Sequence, residues 1–132
     1  MTTRLHRGDL PDLSRYGKEV AIDTETMGLD PRRDRLCLVQ LSPGDGSADL
    51  VQIPADLKSA PNLVSLLTDP NRTKIFHYAR FDMAVLKHRF GVVTGRLSSG
   101  WRTSLKSLGS AYLLGKSWHG LVFEPSMAFS FW

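Results

Sequence analysis

"EVAIDTETMGLDP", residues 19–31, begins as an apolar strand and ends on a turn. Val20, Ala21 and Ile22 suit a buried strand, while Gly28 and Pro31 mark a change of direction. Between them stand Asp23 and Glu25. Successive strand residues point to opposite faces, so the two acids project together while Ile22 and Thr24 face the other way. Two carboxylates at a strand end repel one another, and burying either is costly without compensation. The pair is therefore either a solvated strand end or part of a cation site. Oxygen-only donors would favour Mg²⁺ or Mn²⁺ over zinc.

Outward from this stretch, "RLCLVQLS" (35–42) reads as a second strand, "PGDGSA" as a loop and "DLVQIP" (49–54) as a third strand. The short connections predict an antiparallel meander. "SAPNLVSLLTDPNR" then places Leu63, Leu66 and Leu67 at helical spacing and stops at Asp69-Pro70. "TKIFHY" (73–78) predicts a fourth strand. "ARFDMAVLKHRF" (79–90) predicts a helix with Phe81, Val85 and Leu86 on one stripe, and Lys87, His88 and Arg89 where the helix dipole favours cations. Three antiparallel strands followed by helix, strand and helix make an α/β class with a mixed sheet.

Asp82 falls in the first turn of the last helix, where free N–H groups stabilise a carboxylate. It is either a plain helix-start acid or a third carboxylate facing the first strand. His77, just before, is either a packed polar residue or a substrate contact.

The chain has 132 residues, enough for one domain with a core. No apolar run approaches the length needed to span a bilayer, and "MTTRLHRGDLPD" lacks the apolar centre of a signal peptide, so a cytoplasmic protein without a membrane partner is expected. A single cysteine, Cys37, excludes an internal disulfide and a cysteine cage for metal, and its setting is that of a small apolar strand residue. The net charge of 17 − 13 = +4 permits nucleic-acid binding without arguing for it. Residues 1–94 carry 13 Lys/Arg against 12 Asp/Glu, so most of the excess lies beyond them.

From Gly95 the character shifts. Residues 95–132 hold 13 Gly or Ser, all three tryptophans (Trp101, Trp118, Trp132) and one acid, Glu124. "TSLKSLGSAYLLG" spaces Leu105, Leu108 and Tyr112 for a short helix that Gly109 weakens. The division expected is a folded part over 1–94 and an atypical tail over 95–132, out of frame or disordered.

Two of these stretches carry a resemblance. "AIDTETMGLD" followed by "RLCLVQLS" resembles the first motif of the DEDD 3′→5′ exonucleases, named for four acidic residues, and "FHYARFDMAVL" resembles the second. The "LVQL" strand and "FHYARFD" are more similar to the ribonuclease D branch than to the proofreading branch. The resemblance covers roughly residues 15 to 93. It implies a ribonuclease H-like fold, a pair of divalent metals (Mg²⁺ or Mn²⁺), and Asp23, Glu25 and Asp82 as their ligands. Nucleic-acid contacts are implied for Thr26, Met27, Leu29, His77, Tyr78 and Phe81. Leu29 would wedge against the terminal base; its alternative is a turn residue tucked into the core. Tyr78 stands where related enzymes often have Asn.

The family's third motif, Tyr-x-x-x-Asp, is absent: Gly120 lies four residues before Glu124, and Lys116 four after Tyr112. A truncated domain is expected, with impaired activity. The function expected is 3′→5′ hydrolysis of RNA or single-stranded DNA from its 3′ end to nucleoside 5′-monophosphates by two-metal catalysis. The alternative is a catalytically inactive nucleic-acid-binding remnant, with Arg32, Arg33, Arg35, Arg80, Lys87 and Arg89 on phosphates. A third reading is a degenerate chain without a stable fold. The sequence leaves the oligomeric state and the choice between RNA and DNA open.

Overall fold

A computed structural model describes residues 2–77 and 79–94, together with the backbone of 97–99. Among them, β1 (Thr2–Arg7), β2 (Glu19–Thr26), β3 (Leu36–Ser42), β4 (Ser47–Gln52), α1 (Pro61–Thr68), β5 (Thr73–Phe76), α2 (Ala79–Phe90) and β6 (Leu97–Ser99) follow in that order. The strands form one sheet in the order β1-β4-β3-β2-β5-β6. β2, β3 and β4 are the antiparallel meander, whereas β1 runs parallel to β4, β5 parallel to β2, and β6 parallel to β5. The sheet is mixed, and its arrangement from β2 to α2 is the expected one.

Chemistry decides the position of each strand. β3 is buried on both faces along its whole length and occupies the middle, which matches its near-continuous apolar run. β2 alternates, hiding Val20, Ile22 and Thr24 and leaving Asp23 exposed. α1 contributes Leu63, Leu66 and Leu67, all fully buried. They join Leu36, Val39, Leu41, Phe76 and Leu86 in the core. α1 begins with Pro at its first position and has no side-chain cap from its own N-cap residue, Ala60. Asp9 serves instead: its carboxylate accepts the N–H groups of Asn62 (2.9 Å) and Leu63 (2.8 Å) from more than fifty residues away. α2 closes on Gly91, whose φ of 69° and N–H bond to the Lys87 carbonyl (2.8 Å) form a left-handed cap.

Three expectations need correction. β4 spans 47–52 rather than 49–54, because its parallel pairing with β1 begins at Ser47 and ends at Gln52. β5 stops at Phe76, two residues short of the expected 78. β1 was not expected at all. Its "TTRLHR" has one aliphatic side chain, Leu5, which is exposed, since an outer strand needs no apolar period. The expected helix through Tyr112, the tryptophans and Glu124 lie outside the described residues.

Candidate active site

The two acids of β2 sit where the strand leaves the sheet. Pairing with β3 runs Glu25 to Leu38 and then Thr26 to Leu36, skipping Cys37, so a bulge falls at the carboxylates. A bulge adds twist and re-aims the side chains beside it.

Beyond the bulge the chain makes a tightly bonded loop. The Met27 N–H reaches the Arg35 carbonyl (3.1 Å), and the Asp34 N–H reaches the Asp30 carbonyl (2.8 Å). The Asp34 carboxylate accepts the Asp30 N–H (3.0 Å) and takes both arms of Arg33 (2.9 and 2.8 Å). Arg33's grip holds Asp34 down at about 2. Gly28 packs directly on this carboxylate: a Cβ there would lie 2.3 Å from Asp34 Oδ2. The Thr26 hydroxyl donates to the Gly28 carbonyl. This frame presents Met27 and Leu29 outward, 56% and 88% exposed. Leu29 is not tucked into the core.

Asp82 arrives from α2 and is buried, only 4% exposed. The Thr24 hydroxyl donates to its Oδ1, which ties the first turn of α2 to β2. Burial pushes the Asp82 carboxyl up to about 7; the bond from Thr24 works against the rise and the charge of Asp23 adds to it. Glu25 is raised to about 8, first by burial and then by the charges of Asp23 and Asp82. Glu25 thus feels both other acids, and Asp82 feels Asp23. Among the described residues, no three His, Cys, Asp or Glu side chains form a converged metal-ligand cluster. An all-oxygen set of mutually repelling acids fits a hard divalent cation.

The other expected residues are placed unevenly. His77 is exposed at the end of β5, while Phe81 is half-buried and packs on the core rather than standing free. Tyr78 lies outside the described residues. Of the six basic residues, Arg32, Arg33, Arg35 and Arg89 line one cleft, and Arg80 and Lys87 are exposed without lining it.

Sequence reading passed over Thr24, whose place between the two acids, on the helix-covered side of the strand, was the available sign. It also missed a buried network on Asp49, which accepts from Tyr16 (2.6 Å), His6 (2.8 Å) and Arg15 (3.0 Å). Burial opposes ionisation of Asp49, yet the bonds from Tyr16 and His6 hold its carboxyl below the usual range. This network ties β1 and the 8–18 segment to β4 and lies apart from the three acids.

Residues 10–113 match a family described as 3′-5′ exonuclease. A ribonuclease D of Granulibacter bethesdensis is 38% identical over 74 residues, which are 56% of this chain and 18% of that protein. Brucella melitensis NrnC with bound Mg²⁺ is 57% identical, with a TM-score of 0.75, over 80% of this chain and 53% of that one. NrnC bound to pGG is 51% identical, also with a TM-score of 0.75, over 92% of this chain and 61% of that one. The chain thus spans little more than half the length of these solved structures and about a fifth of the curated relative.

Proposed function

Since this chain belongs to the 3′-5′ exonuclease family, we propose that it hydrolyses short RNA or single-stranded DNA from the 3′ end to nucleoside 5′-monophosphates. The observation that carries this is the grouping of Asp23 and Glu25 near the end of β2 with Asp82 in the first turn of α2, which the Thr24 hydroxyl ties to β2. The Mg²⁺ held by NrnC and the pGG bound to it support this choice of cofactor and substrate. Mg²⁺ or Mn²⁺ would be held by the carboxylates of Asp23, Glu25 and Asp82. When bound, such ions lower the pKa of water and stabilise charge on the leaving 3′ oxygen.

The protein's own groups do the rest. Thr24 fixes the Asp82 carboxylate through its hydroxyl, which limits the rotamers that α2 presents. Leu29, held outward by the Asp34 frame, would lie against the terminal base, with Met27 beside it. Burial of Asp82 reduces its competition for solvent and strengthens its interaction with any cation.

No Tyr-x-x-x-Asp occurs between Asp82 and Trp132. We therefore assign the chain, acting alone, weak activity, with one cation held more firmly than a second. The same observation supports the inactive binding remnant as second reading.

The test is degradation of 5′-labelled single-stranded RNA by the purified chain in Mg²⁺ or Mn²⁺, beside EDTA and Asp23→Ala. A ladder shortening from the 3′ end, lost in both controls, supports the nuclease. Binding without any shortening, by a chain that melts cooperatively, favours the remnant.

A further inference from the structure

A cleft of about 280 Å³ lies between the 31–36 segment, Ala55 and the C-terminal half of α2. Five basic side chains line it: Arg32, Arg33, Arg35, His88 and Arg89. No acidic residue is among its lining, although Arg33 is already held in a two-pronged pair by Asp34 just outside it. Two of the guanidinium groups are fixed by backbone carbonyls of one neighbouring segment. Arg35 donates to Ile53 (3.0 Å), and Arg89 donates to Leu57 (3.0 Å) and Pro54 (3.4 Å). Carbonyl bonds of this kind fix the orientation of a guanidinium. Such pre-set forks match the geometry of phosphate oxygens.

The cleft shares both supports of the acid site. The 27–35 loop leaves β2 directly after its two acids and brings Arg32, Arg33 and Arg35 into the cleft. α2 carries Asp82 in its first turn and His88 and Arg89 in its last. Seven residues of helix separate Asp82 from Arg89, roughly 10 Å along the axis. We propose that this cleft binds a backbone phosphate of the nucleic-acid strand upstream of the nucleotide being removed. It would make longer strands bind better than the shortest ones. The assignment builds on the nuclease reading, but it concerns a separate set of residues.

The experiment measures binding without turnover: fluorescence anisotropy of a 5′-fluorescein oligouridylate of about ten nucleotides, titrated with the full chain in EDTA at several salt concentrations. Arg32→Glu is expected to weaken binding about tenfold, and to make the slope of log K against log salt shallower by about one. Arg32→Ala, with a melting curve matching the wild type's, is expected to lose less in the same direction. Lys18→Glu makes the same size of charge change at an exposed lysine outside the cleft and is expected to cost less than about twofold. Equal losses for Arg32→Glu and Lys18→Glu would mean diffuse attraction and overturn the cleft. Displacement of the oligouridylate by millimolar GMP or inorganic phosphate would mark a free-anion site and overturn the strand assignment. A chain that binds as expected yet never cuts in Mg²⁺ or Mn²⁺ would sink the nuclease reading and leave the cleft standing; a chain that cuts but ignores Arg32 would do the reverse.

Discussion

Asp82→Asn should make the metal-free protein more stable while removing its chemistry. The carboxyl is 4% exposed and lifted from 3.8 to about 7. Folding therefore prefers its protonated form. A raised carboxyl contributes stability that is complete below pH 3.8 and is lost as pH climbs through about 7. The full span corresponds to roughly 4 kcal/mol above neutrality. Because Asp23 and Glu25 share the repulsion, about 2–4 kcal/mol is the working figure. Asn keeps an oxygen for the Thr24 hydroxyl and carries no charge, so its stability should not follow this titration. Urea melts in EDTA read the difference directly. Wild type and Asp82→Asn should nearly coincide at about pH 4, diverge through the window, and differ by about 2 kcal/mol or more at about pH 8 with the variant more stable. Coincident melts at both pH values would refute the description of Asp82 as a buried, repelled carboxylate.

Other perturbations separate the parts of the site. Leu29→Ala should leave the melting temperature unchanged within error, since the side chain is 88% exposed, while raising KM for short RNA several-fold. Gly28→Ala forces a Cβ to 2.3 Å from Asp34 Oδ2, so a loss of about 1–3 kcal/mol by urea melt should accompany lost activity. Asp9→Ala strips the remote cap from α1 and should cost about 1–2 kcal/mol at pH 7 with kcat unaltered, measured by urea melts and steady-state kinetics.

The parts of the fold legible in the sequence are those whose reasons are local. "RLCLVQLS" is apolar enough to declare a central strand, and Leu63, Leu66 and Leu67 declare a helix by spacing alone. α2 was found at its observed limits, because an acid opens it and three basic residues close it. What escaped depends on partners far away in the chain. β1 is held by parallel pairing to β4 and by His6 reaching Asp49 across 43 positions, and nothing in "TTRLHR" announces either. Asp9 reads as a turn residue until α1 is folded against it. Lys74 is fully buried within β5, its ammonium donating to the Asp69 carbonyl and its pKa pushed down by burial, and no local signal in "TKIFHY" announces it. At the site, the pairing of Asp23 with Glu25 followed from the pleat, and Asp82 from the helix start. The Thr24 hydroxyl bond needed the packing of α2 on β2, and the basic cleft needed the 27–35 loop to bring Arg32, Arg33 and Arg35 to Arg89.

The most direct measurement is release of GMP from pGG by the purified chain in Mg²⁺, resolved by chromatography beside the Glu25→Gln and Asp82→Asn variants. Slow conversion of each pGG to GMP by the wild type, absent from both variants and from EDTA, is the predicted result. A well-folded wild type that releases no GMP, or variants that release it as fast as the wild type, would contradict a nuclease built on these three carboxylates.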